Sequence, residues 1–420
     1  MKRKIALAMV LAMTASMAQP VLAADSKTTL DVIISQYGTQ TQTWWTQFEK
    51  DFEAENPDID LNVEIVSWND LYTKVNTLVA NNNAPDILNI DVLADYVADD
   101  LLMPATEYAS EDLQAKFFPA FWEASTIDDT VYALPILASC RALFYNKDIL
   151  DEAGYTIDDL TDITWSKFME IGKDVHEKTG KYLLTSEATG GDTLMMMMQS
   201  CGANFVNEDG EAYIVGNEVA EKCINLYVDL VKNDVVKLVN NWDEYIATIT
   251  GGEAAGIVNG NWITATLMST EDQKGLWQIT TMPKVDDVDT ATNYANNGGS
   301  SWYITSNCQN VELAEDFLAS TFGSSTEFYD AILPEAGAIS CYLPAGESEV
   351  YNEPNEFFGG QPIFSTIVEY SSHIPEFTKT PYHYEARECV NTAVVNIVNG
   401  TSVEDALQEA QDTLAFKMTE

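Results

Sequence analysis

Hydrophobic residues in the first third of the chain follow two different periodicities. Residues 29–35 and 59–66 alternate apolar and polar side chains and are rich in β-branched residues, which predicts two strands. A second amphipathic segment, 70–80, precedes a continuous apolar stretch, 87–90. Between the first two segments, aromatic side chains recur at helical spacing and a proline follows them: Trp44, Trp45, Phe48, Phe52 and Pro57. The order strand, helix, strand, helix, strand predicts a parallel α/β sheet covered on both faces.

Helix signals continue to the end of the chain. Thr164-Trp165 predicts the start of a long helix that Gly180 ends, and Ser402 is expected to cap the last helix. Residues 195–198 are four consecutive methionines. We interpret them as core helix rather than as a metal site, because adjacent side chains on a helix point in different directions.

The length of the chain predicts two lobes. A chain of 420 residues exceeds what one hydrophobic core usually serves, so two domains are expected. The sequence contains no internal repeat and no low-complexity linker, which indicates that the chain crosses between the lobes more than once. We expect a ligand cleft between two α/β lobes, at the carboxyl ends of the strands.

Residues 1–23 are predicted to be a secretory signal peptide. Three basic residues, Lys2 to Lys4, precede an apolar run at 5–18, and Val21-Leu22-Ala23 forms a small-residue cleavage site. The expected location is outside the cytoplasmic membrane, on its extracellular face or in the periplasm. The first cysteine is Cys140, so a lipid-linked cysteine near Ala24 is not expected, and the mode of retention at the cell surface stays open.

The formal net charge of −45 argues against two classes of partner, nucleic acids and anionic membranes, because both repel such a chain. The acidic residues are spread evenly, as is typical of a solvated surface. A cationic ligand such as a polyamine is an alternative suggested by the same charge.

The six cysteines lie far apart and form no CxxC motif. A secreted protein could pair them, but a chain of this length does not need disulfides. We favour mostly free, buried thiols and leave pairing as the alternative.

Motifs of catalysis and metal binding are missing from the sequence. There is no nucleophile elbow, no HExxH, no P-loop and no dinucleotide fingerprint, and the three histidines lack metal-ligand spacing. No metal and no cofactor is therefore expected. A secreted carbohydrate-active enzyme remains an alternative, because 66 acidic residues hide any pair of carboxylates that hydrolysis would need.

The segment from Gly251 to Trp262 carries the most information about a site. Ile257 and Val258 predict a short buried strand, and the Asn-Gly-Asn that follows is interpreted as a turn. That turn delivers the Trp262 indole, a flat apolar surface with one donor that suits the face of a sugar ring. From this segment alone, a sugar platform and a core tryptophan are equal alternatives.

Several segments along the mature chain together resemble one family. In the order and spacing of these segments, the chain resembles the extracellular solute-binding proteins of carbohydrate ABC transporters, the group that includes maltose-binding protein. The segments are Phe48-Glu-Lys-Asp-Phe-Glu-Ala-Glu-Asn-Pro57, Ala84-Pro-Asp-Ile-Leu88, Tyr132-Ala-Leu-Pro135, Leu143-Phe-Tyr-Asn-Lys-Asp-Ile-Leu150, Thr164-Trp165, 252–262, 298–304, Ala314-Glu-Asp-Phe-Leu318 and 403–411.

The resemblance implies a periplasmic-binding-protein-like α/β fold with a central cleft and several hinge crossovers. It implies a monomeric, non-enzymatic protein that closes over a mono- or oligosaccharide and hands it to the permease subunits. The crossovers are expected near 135–141, Trp302 and Pro334. The expected lobes are therefore 24–138 with 304–333, and 139–303 with 334–420.

Candidate ligand contacts follow from the resemblance and from the predicted strand ends. The family position that matches Trp262 stacks on sugar. Gly298 and Gly299 allow close approach of the backbone. Several candidates have a structural alternative, such as a helix cap for Asp91 or an ion pair for Arg141. The candidate ligand-binding residues are Tyr37, Gly38, Thr39, Trp68, Asn89, Asp91, Ser139, Arg141, Asp192, Trp242, Trp262, Gly298, Gly299, Trp302, Glu335, Tyr384 and Arg387.

Overall fold

The first elements of the chain confirm the predicted parallel arrangement. In the computed structural model, β1 pairs in parallel with β2 on one side and with β3 on the other. A helix connects each successive strand. These elements are β1 Thr28–Ser35, α1 Thr39–Glu55, β2 Ile59–Val66, α2 Trp68–Ala80 and β3 Ile87–Ile90. The structure describes residues 27–37, 39–90, 94–105, 109–207, 209–296, 298–375, 380 and 382–419.

The other elements are short strands and a larger number of helices. The strands are β4 Thr126–Ile127, β5 Thr130–Val131, β6 Ala133–Ala138, β7 Arg141–Asn146, β8 Tyr182–Glu187, β9 Val236–Val239, β10 Ala254–Gly260, β11 Trp277–Thr280, β12 Ser300–Ile304 and β13 Ile339–Ser340. The helices are α3 Ala94–Ala98, α4 Glu111–Gln114, α5 Pro119–Glu123, α6 Lys147–Ala153, α7 Ile157–Leu160, α8 Trp165–Thr179, α9 Thr193–Ser200, α10 Glu218–Lys232, α11 Trp242–Thr250, α12 Ile263–Met268, α13 Val311–Thr321, α14 Glu327–Ala336, α15 Leu343–Gly346, α16 Ile363–Ser371, α17 His383–Val398 and α18 Val403–Lys417, with 3-10 helices at Glu271–Gln273, Glu349–Asn352 and Glu356–Phe358.

Two sheets organise the molecule. The first sheet has the strand order β13-β6-β12-β3-β1-β2, and the second has the order β11-β7-β10-β8-β9. The chain leaves the first sheet at the end of β6 and enters the second at β7, only two residues later. It returns to the first sheet at β12, so the chain crosses between the sheets without a linker, as the sequence indicated.

The strand directions determine which strand ends lie next to each other in each sheet. In the first sheet β12 is antiparallel to both β3 and β6, so its amino end lies beside their carboxyl ends. In the second sheet β7 is antiparallel to β10, while β8 is parallel to β10 and to β9. Residue 139, which follows β6, is therefore close to residue 300, and the start of β7 is close to the end of β10.

Local signals read from the sequence account for the helix ends. The Thr164 hydroxyl accepts a hydrogen bond from the Lys167 backbone amide at the start of α8, and Gly180 ends that helix with a positive φ of 72°. Ser402 caps α18 through the Asp405 amide. The four consecutive methionines at 195–198 are buried on α9, as expected of core residues.

One predicted detail of the chain path was wrong. Asn259 and Gly260 belong to β10, because this strand pairs with β7 as far as Gly260 and Arg141. The turn therefore begins only at Asn261.

All six cysteine side chains are buried, and each is a free thiol in this structure. Burial raises the pKa of the Cys140 thiol to about 12, so that thiol stays protonated at neutral pH.

Candidate ligand-binding site

A cavity of about 470 Å³ opens where the edges of the two sheets meet. This volume lies within the range of roughly 300–1,000 Å³ that is usual for small-molecule sites. Both sheets contribute to its walls. Its lining residues are Gln36, Tyr37, Leu137, Ala138, Ser139, Arg141, Asp192, Asn261, Trp262, Ala265, Gly298, Gly299, Ser300, Ala336, Ala338, Tyr384 and Arg387.

Two arginines and one aspartate form the charged part of the cavity. Arg141 Nη2 donates to Asp192 Oδ2 at 2.9 Å, and Arg387 Nη1 donates to Asp192 Oδ1 at 2.9 Å. Arg141 comes from the first position of β7 and Arg387 from α17, so a single carboxylate ties together two distant parts of the chain. Among the described lining residues these are the ionisable charged groups, and their sum is one positive charge.

The two guanidinium groups fix the charge of Asp192. Burial by itself would raise the pKa of this carboxyl, but the neighbouring Arg141 and Arg387 lower its pKa below the ordinary value. Asp192 is therefore ionised at neutral pH. Its two oxygens are each held by one arginine, and both arginines also line the cavity.

Trp262 lies against the same arginine. The Arg141 guanidinium carbon is 4.5 Å from the centre of the indole ring, a cation–π distance. Arg141 is only 3% exposed and is also held by Asn259 Oδ1 at 2.9 Å, whereas Trp262 is 37% exposed. The indole is thus fixed by a buried partner and still offers surface to the cavity.

Glycines make room for this indole. A side chain at Gly260 would collide with the six-membered ring of Trp262. Gly298 has a φ of +123°, and a Cβ atom there would lie 3.2 Å from Trp262 and 3.1 Å from Ser139 Oγ. The absence of a side chain at Gly298 thus leaves room for Trp262 and Ser139, and the close approach of this backbone to a ligand stays a prediction.

A hydroxyl network forms the wall that the first sheet contributes. Tyr37 Oη donates to Asn89 Oδ1 at 2.5 Å and shares a hydrogen bond with Ser300 Oγ at 2.6 Å. Asn89 is fully buried behind Tyr37 and does not line the cavity. Its amide positions the Tyr37 ring, which joins the end of β1 to the start of β12.

Nine of the predicted site residues line one cavity. They come from six separate stretches of sequence, and only the fold brings them together. They are Tyr37, Ser139, Arg141, Asp192, Trp262, Gly298, Gly299, Tyr384 and Arg387.

Other predicted residues lie elsewhere or outside the described part of the molecule. Trp242 is 44% exposed and stacks on Tyr245 with 5.3 Å between ring centroids, away from the cavity lining. Gly38 and Asp91 lie outside the described residues. Thr39, Trp68 and Glu335 are placed in α1, α2 and α14, and the structure describes only their backbones.

The structure corrects the prediction for Trp302. Its indole is fully buried in β12 and packs against Phe322 at 4.8 Å and Trp45 at 6.2 Å between ring centroids. Side chains two residues apart on a regular strand share a face, so Ser300 and Trp302 would point the same way. The register shift between Ser300 and Ser301 interrupts this alternation, so Ser300 can line the cavity while Trp302 packs into the core. Trp302 is a core residue on a strand of the first sheet.

Sequence reasoning missed the small residues of the cavity. Ala138, Ala265, Ala336 and Ala338 line it but carry no chemistry that a sequence pattern would mark. Asn261 and Ser300 were missed although each adjoins a predicted contact. The signal available for both was their position directly beside Trp262 and Gly299.

The described residues contain neither a cluster that could hold a metal ion nor a membrane-spanning helix. No group of three or more His, Cys, Asp or Glu side chains in that part of the chain could hold a metal ion. Within the same residues, no helix has the length and apolar character required to cross a membrane.

Comparison with known proteins identifies the family. Residues 37–322 match the family described as bacterial extracellular solute-binding protein. A lactose-binding protein of Rhizobium radiobacter is 31% identical over 368 residues, which cover 87% of this chain and 87% of that protein. Family and relative are both binding proteins, and the family is extracellular, in agreement with the predicted class and location.

Solved structures show the same fold. The sugar-binding protein MalE from Xanthomonas citri has a TM-score of 0.77 at 18% identity, covering 93% of this chain and 98% of its own. The galacto-N-biose-/lacto-N-biose I-binding protein of an ABC transporter from Bifidobacterium longum, in complex with lacto-N-biose, has a TM-score of 0.75 at 19% identity, covering 94% and 98%. The predicted two-lobed α/β fold is thereby confirmed, and this chain belongs to the bacterial extracellular solute-binding protein family.

Proposed function

We propose that this chain binds a galactose-containing disaccharide outside the membrane and delivers it to the permease subunits of an ABC importer. Membership of the solute-binding family and the 31% identity to a lactose-binding protein support this function. The observation that carries it is the pairing of a half-exposed indole, Trp262, with the Arg141–Asp192–Arg387 group in one cavity.

Each component of the cavity has a role in holding a sugar. The Trp262 indole stacks on the apolar face of a ring, and the Tyr384 ring provides a second aromatic surface. Arg387 and Asp192 form charge-assisted hydrogen bonds to hydroxyls, each worth roughly 1.5–3 kcal/mol. Ser139, Tyr37 and the backbone at Gly298 and Gly299 contact the ligand from the side of the first sheet.

The charge of the cavity argues against a polyamine ligand. The described lining has two arginines and one aspartate, so it is locally positive in a chain whose net charge is −45. A polycation would meet repulsion at the site, whereas a neutral sugar meets donors and acceptors.

The same geometry argues against glycoside hydrolysis. Hydrolysis needs two carboxylates separated by about 5–10 Å, one of them protonated. Asp192 is held ionised by two guanidinium groups and is the carboxylate of the described lining. We therefore propose binding without turnover. Incubation with lactose should release no glucose or galactose, and sustained release would overturn this part of the proposal.

The assignment of strands to the two sheets suggests how the chain divides into lobes. The expected boundaries put most of β12 and all of β13 in the second lobe, but both strands belong to the first sheet, so we propose to place them with residues 27–138 in the first lobe. The second lobe of this proposal contains β7 to β11 with α17 and α18. A hinge between these lobes would close on the ligand and stabilise contacts made only in the closed state. Small-angle scattering with and without saturating lactose should then give different radii of gyration, and identical profiles would contradict closure.

Titration calorimetry with lactose tests the ligand. We expect saturable one-to-one binding, no binding of spermidine, and a rise in melting temperature, since a ligand at 100 times its Kd stabilises a protein by about 2.7 kcal/mol. A response to spermidine without a response to lactose or to other galactosides would overturn the proposal. Light scattering should give the mass of a monomer.

A further inference from the structure

Asn261 lines the cavity, and only one end of its buried side-chain amide has a hydrogen-bond partner. The residue is 2% exposed, follows the last residue of β10, and lines the cavity beside Trp262. Its Nδ2 donates to the Gly337 carbonyl at 2.5 Å. Its Oδ1 has no hydrogen-bond partner among the described residues.

The orientation of this amide is fixed by its donor side. A carbonyl oxygen such as that of Gly337 can only accept, so the NH₂ group of Asn261 must face it and Oδ1 must point the other way. The Gly337 backbone packs closely against this residue, because a Cβ atom there would collide with Thr264 Oγ1 and with the Asn261 carbonyl oxygen. Gly337 itself has a φ of +59°, which an alanine would strain.

The contact lies at the wall of the cavity and joins two parts of the chain. Ala336 and Ala338, on either side of Gly337, both line the cavity. Asn261 follows a strand of the second sheet, whereas Gly337 ends α14 and precedes β13 of the first sheet. A ligand group bonded to this amide would therefore touch both sides of the cleft through one side chain.

Buried acceptors without partners are rare, because burial removes the water that would otherwise satisfy them. We propose that Asn261 Oδ1 accepts a hydrogen bond from one hydroxyl of the bound sugar, and that this bond determines specificity for a hydroxyl at that ring position. The inference rests on the proposed function. It adds a polar contact that neither Trp262 nor the arginine pair provides.

Two chemical features of the site restrict the ligand group that can bind to Asn261 Oδ1. The acceptor is neutral, so it prefers a hydroxyl donor to an anionic substituent, which it would repel. Ala265, four residues later on α12, also lines the cavity and has a small side chain. A site built to accept from a hydroxyl rejects the deoxy analogue, because its buried acceptor is then left unpaired.

A cycle between protein variants and deoxy sugars tests the assignment. Calorimetry would use lactose and its monodeoxy analogues against the wild-type protein, Asn261→Ala and Asn261→Ser. We expect one monodeoxy analogue to bind the wild type about tenfold more weakly than lactose. With Asn261→Ala, lactose should weaken by a similar factor, and that analogue should bind no worse than lactose.

Thr264→Val is the matched control. Thr264 is buried one turn away, contacts the same Gly337 region and bonds to the Asn261 backbone, but it does not line the cavity. Its variant should retain the full penalty for the deoxy analogue. Asn261→Ser keeps the site testable if the alanine variant does not fold.

The outcomes separate this inference from the proposed function. Wild-type protein that binds neither lactose nor any analogue overturns both. Wild-type protein that binds lactose but shows the same pattern of deoxy penalties in Asn261→Ala overturns the inference alone, because an amide with a purely structural role would weaken all the sugars equally.

Discussion

The two walls of the cleft are built from different chemistry. The second sheet contributes a charged and aromatic wall, with Arg141, Asp192 and Trp262 held in a single set of contacts. The first sheet contributes a neutral wall in which Tyr37 bonds to Ser300 and to Asn89. Charged hydrogen bonds are worth about twice as much as neutral ones, so the second wall is expected to supply most of the affinity.

The difference also concerns rigidity. Arg141 is buried and is held by Asp192 and by Asn259. The Asn259 Nδ2 atom in turn donates to the Tyr245 hydroxyl at 2.9 Å. These groups are organised before any ligand arrives, and preorganisation reduces the entropy that binding must overcome. We therefore expect the second wall to contact the sugar first and the first wall to complete the site on closure.

Replacement of Asp192 should have the largest effect. Asp192→Ala leaves two partly or fully buried guanidinium groups without their carboxylate. We expect the free energy of unfolding to fall by about 3–5 kcal/mol in urea denaturation. Lactose affinity should fall at least about 100-fold, equivalent to about 2.8 kcal/mol, in calorimetry.

The control for this variant is Glu170→Ala, which breaks the exposed Lys167–Glu170 pair. That change should alter stability by less than about 0.5 kcal/mol. An Asp192→Ala protein with wild-type affinity would show that the charged wall does not hold the ligand.

Replacement of Trp262 should have the next largest effect. Trp262→Ala removes the stacking surface and exposes Arg141, which we expect to weaken lactose binding by roughly tenfold, since an aromatic contact is worth about 0.5–1.5 kcal/mol beyond its buried area. Trp262→Phe should recover part of the loss. Phe416→Ala, which removes an exposed aromatic on α18, is the control and should leave Kd unchanged.

Quenching of the intrinsic fluorescence provides a second readout for the same residue. If the Trp262→Ala protein retains both the fluorescence response and the Kd of the wild type, Trp262 is not the stacking platform. The exposed Trp242 would then be the next aromatic to replace.

A change in the neutral wall should cost less. Tyr37→Phe keeps the ring but removes the hydroxyl that joins Asn89 to Ser300. The loss of a neutral hydrogen bond is worth about 1 kcal/mol, so we expect lactose affinity to fall by roughly fivefold. Tyr213→Phe, whose exposed hydroxyl bonds to the Gly216 carbonyl, is the control. A loss for Tyr37→Phe as large as that for Asp192→Ala would remove the proposed difference between the walls.

Sequence periodicity predicted the elements well but could not predict which side chains face the cleft. The parallel β1-α1-β2-α2-β3 unit and the capped helices α8 and α18 follow from local signals, because caps and alternation act within a few residues. Trp302 shows where this fails. Its place at an expected crossover between the lobes suggested a ligand contact, but its burial depends on Phe322 and Trp45, which are distant in the sequence.

The same argument explains the partial success at the site. Arg141 could be proposed because basic residues are scarce in this chain, and Asp192 because of its place in the family resemblance. The second ion pair of Asp192, with Arg387, could not be predicted, since it depends on the packing of α17 against the loop before α9. Asn261 was missed because its role depends on Gly337, which lies 76 residues later.

Glu187 offers the finest test of the charged wall, with the smallest expected effect. Glu187 is the last residue of β8 and Asp192 follows five residues later, yet their pKa values shift in opposite directions. Burial and the Asp192 charge raise the pKa of Glu187, against an opposing effect of Arg387. Arg141 and Arg387 lower the pKa of Asp192, against an opposing effect of burial. His383 is the other titratable group that acts on Asp192.

The sign of the stability effect follows from these directions. A raised folded-state pKa means that the native protein favours protonated Glu187, so its ionisation costs stability above that pKa and the cost disappears as the pH falls. Glu187→Gln should therefore raise the free energy of unfolding at pH 7 by about 0.5 kcal/mol, which would appear as a small rise in melting temperature. The gain should shrink by pH 4.

Asp192→Asn should behave in the opposite way. Its lowered pKa contributes stability that is present above the unfolded-state value of about 3.9 and is lost as the pH falls through the folded-state pKa. The variant should therefore be much less stable than the wild type at pH 7 and should approach it at pH 3. Melting curves of the three proteins from pH 3 to pH 8 measure both slopes. If Glu187→Gln lowered stability at pH 7, the carboxylate would belong to the ion-pair network, and the charged wall would contain two acidic residues instead of one.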